Sequence, residues 1–200
     1  MDDIVRQAMA KWPNVPHCYG WLVLDARGSW RMRDEQAQAS GGAGDKIVHA
    51  ALLGFINRNY THDPRGCWYF QNGPQRVYVD LEAAPYIAHT DPQAGFADQA
   101  SMVLPAPDQA WLTETGQLLL RFGEKIAWLD DRDIAQCMAD VRIDGAAMSE
   151  ELLMAWLEGR TDTGRLTLCI AGRLLTAQRI LAGTVAAHFG FVPRPRPEAE

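Results

Sequence analysis

Apolar and polar residues alternate with a period of two in the clearest stretch of the chain, Trp68 to Leu81. Val77, Val79 and Leu81 project to one side of an extended strand, while Arg76, Tyr78 and Asp80 project to the other. On the preceding run Trp68 and Phe70 oppose Tyr69 and Gln71, and Asn72-Gly73-Pro74 between the runs has turn chemistry, so the pattern predicts a β-hairpin. One face is apolar enough for a core. The other carries a guanidinium, a phenol, an amide and a carboxylate; an ordinary wet sheet face is the expectation, with the floor of a polar site as the alternative.

Around this hairpin the periods shift. Ile4, Val5, Ala8, Met9 and Trp12 make an amphipathic stripe over residues 2–12, begun by acidic residues and stopped by Pro13 and Pro16. Cys18 to Leu24 and Ser29 to Met32 read as strands joined at Asp25-Ala-Arg-Gly28. Residues 34–44, glycine-rich and polar, read as a mobile loop. Asp45 stands where an N-cap belongs, and Val48, Leu52, Phe55 and Ile56 recur at helical spacing as far as Tyr60. His62-Asp63-Pro64-Arg65-Gly66 then turns the chain into the hairpin, and Tyr86 to Ala88 offers a short strand after it.

Beyond residue 107 a second set begins. Trp111-Leu112 and Gln117 to Phe122 predict a hairpin around Thr115-Gly116, and Glu124 to Leu129 a strand. Asp130-Asp131-Arg132-Asp133 opens a helix carrying Ile134, Cys137, Met138 and Val141; its acidic run suits a first helical turn, a divalent-cation site being the sharper alternative. Ser149 caps a helix through Leu157 that Gly159 terminates, and Leu166 to Ile170 opens a last hairpin turning at Ala171-Gly172. From Ile180 to His188 strand and helix signals compete.

The halves repeat one order: a hairpin from Trp21 or Trp111, a helix from Asp45 or Asp130, a hairpin turning at Gly73 or Gly172. Counterparts lie roughly 85 to 100 residues apart, a spread that loop insertions absorb. The reading is therefore an α+β chain of two similar modules in tandem, each an antiparallel sheet built from hairpins with a covering helix. The modules span 1–90 and 108–192, with a linker over 91–107 and a disordered, proline-rich charged tail over 193–200.

Composition narrows the functional classes. An apolar fraction of 48% with 22% charged residues is that of a folded globular chain, and a net charge of −6 argues against a nucleic-acid surface. No apolar run approaches the about 20 residues of a membrane span, and Met1-Asp2-Asp3-Ile4 is acidic where a signal peptide is basic, so a soluble cytoplasmic protein is expected. Cys18, Cys67, Cys137 and Cys169 show no paired spacing and read as buried thiols, and the five histidines are too scattered to suggest ligands. No metal and no cofactor is expected.

Several segments together resemble a family of uncharacterised bacterial proteins. They are Gly28-Ser-Trp30, the helix from Ile47 to Tyr60, Gly66-x-Trp-Tyr-Phe, and Arg76-Val-Tyr-Val-Asp-Leu-Glu-Ala-Ala-Pro-Tyr86. This run of about residues 20 to 90 is similar to the domain of unknown function 1285 family, as a sibling more than a close member. Where that family has a pattern like Thr-Pro-Val-Glu-Lys-Val, this chain has Gln71 to Arg76, keeping Pro74 and a basic residue but placing Gln75 at the acidic position. The resemblance implies an α+β fold of two tandem modules and a signalling or ligand-sensing role. It brings no catalytic residues.

Gly-x-Ser-x-Gly, a phosphate-cradling loop and His-Glu-x-x-His are all missing from the sequence. The favoured class is a non-enzymatic module binding a small polar or anionic ligand, expected in a cleft between the modules. Arg76, Asn72 and Gln75 at the hairpin tip, Arg58 and Tyr60 at the helix end, Trp68 as a stacking surface and His49 at the margin of the helix stripe form the candidate set. His49 by itself reads first as a half-buried structural residue. A protein-interaction adaptor built on the seven tryptophans is the alternative, and a hydrolase a third class.

Overall fold

The computed structural model describes residues 1–160 and 164–197. They divide into two compact units: Met1–Pro85 with the segment from Gly190 onward, and Tyr86–Phe189. Among the described residues sixteen strands form a six-stranded sheet in the first unit and a ten-stranded sheet in the second.

The first unit runs α1 (Asp3–Lys11), β1 (Cys18–Leu24), β2 (Trp30–Met32), α2 (Glu35–Ser40), β3 (Asp45–Lys46), α3 (Ala50–Arg58), β4 (Tyr60–His62), β5 (Trp68–Asn72) and β6 (Gln75–Leu81). The strand order is β3-β2-β1-β6-β5-β4. The sheet is mixed, not antiparallel as the hairpin pattern suggested, because β1 and β6 pair in parallel. A parallel pair needs a long crossover, which the chain from β2 through α3 to β5 supplies. Leu22, Leu24, Trp30, Ile56, Val79 and Leu81 are buried; Phe55 of α3 meets Phe70 of β5 edge-on at 5.3 Å.

Two local expectations fail here. Asp45 is no cap, since it and Lys46 pair with Met32 and Arg31; the helix starts later, at His49, whose Nδ1 accepts the Leu52 N–H at 3.3 Å. Residues 34–44 hold a short helix instead of a loop. Asp34 caps it by accepting the Ala37 N–H at 2.7 Å, and Gly41 closes it in the left-handed region.

The polar face of the β5–β6 hairpin is covered, not wet: Tyr69, Gln71, Tyr78 and Asp80 are all buried. One cover is α1, whose Ala8 lies beside Gly73 at the hairpin tip. The other is the C-terminal segment, and here the expected disordered tail is corrected for residues 193–197; the rest of 193–200 lies outside the described residues. Leu81 N–H donates to Pro193 O at 2.8 Å and Val192 N–H to Gly66 O at 3.0 Å, while Phe191 and Pro195 are buried. Hydrogen bonding and buried rings outweigh a composition that by itself favours disorder.

The second unit runs β7 (Tyr86–Asp91), β8 (Gly95–Asp98), β9 (Val103–Leu104), β10 (Gln109–Thr113), β11 (Leu118–Phe122), β12 (Lys125–Leu129), a 3₁₀ turn into α4 (Ile134–Cys137), β13 (Val141–Ile143), β14 (Ala146–Ala147), α5 (Glu150–Leu157), β15 (Leu166–Ile170), β16 (Arg173–Ile180), and a 3₁₀ turn into α6 (Val185–Phe189). The strand order is β14-β13-β15-β16-β10-β11-β12-β7-β8-β9, with β10–β16 and β12–β7 parallel. Strands β7 to β9 therefore occupy the stretch expected as a linker, and the division between the units falls after Pro85. The competing signals of residues 180–188 resolve as a strand ending at Ile180 and a helix beyond it. Leu112, Leu118, Leu120, Leu166 and Leu168 build the core, which Trp156 and Leu157 of α5 join.

Candidate functional site

In the first unit the turn that enters β5 does more than reverse the chain. Asp63 N–H donates to Cys67 O at 3.0 Å, and Asp63 Oδ1 accepts from Arg65 N–H at 3.0 Å and Cys67 N–H at 3.1 Å. Its other oxygen accepts from Arg65 Nε at 3.1 Å, Arg65 Nη2 at 2.9 Å and the Tyr78 hydroxyl at 3.1 Å. Both oxygens are thus engaged by internal donors. Burial alone would raise this carboxyl, but the hydrogen bonds from Arg65, Cys67 and Tyr78 hold it below the ordinary carboxylate value. Arg65 is placed rigidly in consequence.

This turn forms one wall of a cleft of about 660 Å³ lined also by His17, Tyr19, Arg76, Tyr78 and Pro197. Tyr19 and Tyr78 stack at 4.6 Å, with His17 edge-on to Tyr78 at 5.8 Å. Arg76 lies over the Tyr69 ring at 4.6 Å. Burial raises the Tyr19 and Tyr69 phenols, so both stay neutral. His17 stands at the rim; burial of its inner side, then the Arg76 and Arg65 guanidiniums, lower its pKa, which keeps it neutral at pH 7. Two guanidiniums against one saturated carboxylate leave the cleft with a surplus positive charge.

Of the residues expected at a site, Arg76 lines the cleft. Gln75 and Asn72 pair across the hairpin tip, and Gln75 Nε2 donates to Pro16 O at 2.9 Å. The others lie elsewhere in the unit. Tyr60 donates to Pro85 O at 3.0 Å and packs with Trp68 at 4.8 Å and Trp30 at 5.1 Å, Arg58 is exposed beside Asp2, and His49 is an exposed helix cap. Asp63, Arg65, Tyr78, Tyr19 and His17 were missed as site residues. The signal for two of them was present: Asp63-Pro-Arg-Gly66 repeats the composition of Asp25-Ala-Arg-Gly28, where Asp25 likewise accepts two backbone N–H groups and an arginine, Arg31, at 2.8 Å.

The acidic run of the second unit does not gather as a cation site, and no group of three metal-ligating side chains occurs among the described residues. Asp130 is buried and accepts from Arg132, with His89 Nδ1 at 3.1 Å; burial opposes but Arg132 prevails in holding its carboxyl low. Cys137 and Cys169 line a hollow of about 220 Å³, where burial pushes the Cys137 thiol up to about 11, far from thiolate chemistry. No disulfide forms among the described residues. No helix among the described residues is long and apolar enough to cross a membrane.

No curated protein matches this chain. A solved structure similar to it is that of a DUF1285 family protein from Silicibacter pomeroyi, the family that the sequence resembles. It is 11% identical, with a TM-score of 0.48, over 88% of this chain and 94% of the other. The model of the family named DUF2944 and described as a protein of unknown function (DUF2946) matches residues 1–196, and the chain belongs to that family.

Proposed function

We propose that the first unit is a non-enzymatic module that binds a small anion in the cleft between the Asp63–Gly66 turn and strand β6, in a sensing role. The observation that carries this reading is that Arg65 and Arg76 both line a cleft whose carboxylate, Asp63, is already taken up by internal donors. An incoming oxyanion meets guanidiniums that are held in place before it arrives, which lowers the ordering cost of binding. Tyr19 adds a neutral hydroxyl at the same wall.

The reading extends to the chain as two copies of one plan. Its support is the strand order: β3-β2-β1-β6-β5-β4 in the first sheet and β12-β11-β10-β16-β15-β13 within the second, each with its parallel pair at the centre.

The test is a thermal melt of the full chain with increasing methyl phosphate, on the wild type and on Arg76→Gln. A saturable rise in the wild type, absent in a variant that melts normally without ligand, is expected. A wild type unmoved by tens of millimolar methyl phosphate and equally by phenyl phosphate overturns the reading.

A further inference from the structure

We infer that the anion held by this cleft carries an apolar or aromatic substituent, which lies in an adjoining hollow between α1 and the β5–β6 hairpin tip. The inference rests on the anion-binding reading above and goes on to the chemical class of the ligand. Arg76 and His17 line not one depression but two. The second, of about 300 Å³, is walled by Met9, Trp12, Pro13 and Pro74, with Gln71 in addition. Its chemistry differs from that of the first. A thioether, an indole and two proline rings offer dispersion and stacking, whereas the first hollow offers guanidiniums, a carboxylate and phenols.

Both halves of this arrangement are held in place. Trp12 is the residue that closes α1, its N–H donating to Ala8 O at 3.0 Å, and Lys11 Nζ lies 4.6 Å from its ring centroid. The indole is nevertheless 51% exposed, a large apolar surface left open beside a charged cleft. Pro74 has its conformation fixed by its own ring and by the two-residue turn it shares with Gly73. At the same hollow Gln71 is 1% exposed; its Nε2 donates to Gly73 O at 2.9 Å, and its Oε1 is buried without a hydrogen-bond partner. A ligand with its charge between Arg65 and Arg76 thus has an apolar hollow adjoining it, the two depressions sharing Arg76 and His17. A bare inorganic anion leaves that hollow in water.

Methyl phosphate and phenyl phosphate separate the two statements, because head group and charge are the same and only the substituent differs. Calorimetric titration of each at pH 7.5 uses the full-length wild type, Trp12→Ala, Met9→Ala and Arg76→Gln, with circular dichroism to establish that each variant is folded. Covering about 100 Å² of apolar surface corresponds to more than tenfold in affinity, so phenyl phosphate is expected to bind at least tenfold tighter than methyl phosphate. That advantage should shrink severalfold in Trp12→Ala or Met9→Ala, while methyl phosphate affinity holds. Equal affinities in the wild type, or an undiminished advantage in both of these variants, overturn the inference and leave the anion site standing. Failure of both phosphates to bind, or full retention of phenyl phosphate affinity in Arg76→Gln, overturns the anion-binding reading itself.

Discussion

The hairpins β5–β6 and β15–β16 have the same turn length and the same register counted from the turn. In the first, the pairs Gln71↔Arg76 and Tyr69↔Tyr78 share one face; in the second the pairs at the same distance from the turn are Cys169↔Leu174 and Thr167↔Thr176. The face of the first is buried under α1 and residues 190–197, whereas Leu174 is 71% exposed and Thr176 also lies open. The connections entering the two hairpins also begin alike, since Asp144 exchanges backbone and side-chain bonds with Arg165 N–H and C=O at 2.9 and 3.0 Å as Asp63 does with Cys67. Asp63, however, spans a tight turn that returns Arg65 onto its second oxygen and onto Tyr78. Hairpin geometry therefore makes no site. The candidate cleft lies where a short turn supplies a charged pair and where covering segments desolvate long polar side chains that would otherwise lie in water.

Three experiments press on that contrast. The largest effect is expected from Asp63→Ala, which removes the acceptor of two backbone N–H groups, a guanidinium and a buried hydroxyl. Urea unfolding should show a loss of about 3 kcal/mol, against about 1 kcal/mol for Asp144→Ala, whose carboxylate is exposed. Equal losses would remove the distinction between the two turns. Because the folded-state pKa of Asp63 is depressed, its contribution is in place at neutral pH and is lost as pH falls through that lowered value.

Glycines give the next contrast. At Gly66, φ is +77° and an added Cβ would stand 2.1 Å from Gly190 O, so the turn and the returning C-terminal segment meet at a point where no side chain fits. At Gly172, φ is +72° but nothing lies within 4 Å. Gly66→Ala should cost about 3 kcal/mol in a melt or unfolding curve, and Gly172→Ala about 1 kcal/mol for the left-handed backbone alone. A mild Gly66→Ala would mean that residues 190–197 do not press on this turn.

The smallest effect concerns pH. The His17 pKa lies below its ordinary 6.5. Burial depresses it most and the Arg76 and Arg65 guanidiniums add to this; an anion between the guanidiniums is expected to offset their part, so that the pKa rises on binding and a proton is taken up. Affinity for sulfate, whose charge is fixed in this range, is therefore expected to increase about threefold from pH 8 to pH 6 and to lose most of that dependence in His17→Ala. A flat wild-type profile would place His17 outside the field of the bound anion.

Local patterns carried much of the architecture. The period of two in β5 and β6, the Gly73-Pro74 and Ala171-Gly172 turns, the Ser149 cap and the stripe of α1 depend on neighbours a few residues away, and they are where the sequence predicts them. The α+β class follows from the same signals. Arg76 was also legible as a cation on the polar side of a hairpin strand. The error at Asp45 arose because cap chemistry competed with strand pairing to Met32, a contact of distant origin in the chain.

What the sequence by itself determined, then, is the main hairpins with the two faces of their strands and the helices α1 and α5, since side-chain alternation, capping and turn chemistry act within one or two turns of chain. Only the tertiary structure decided that β1 and β6 lie in parallel, that residues 190–197 return to the first unit, and that the polar face beneath them is closed instead of wet. Those outcomes depend on which distant surfaces exclude water together. Burial is a sum over contacts that the chain makes across its whole length, and no local window of residues contains it.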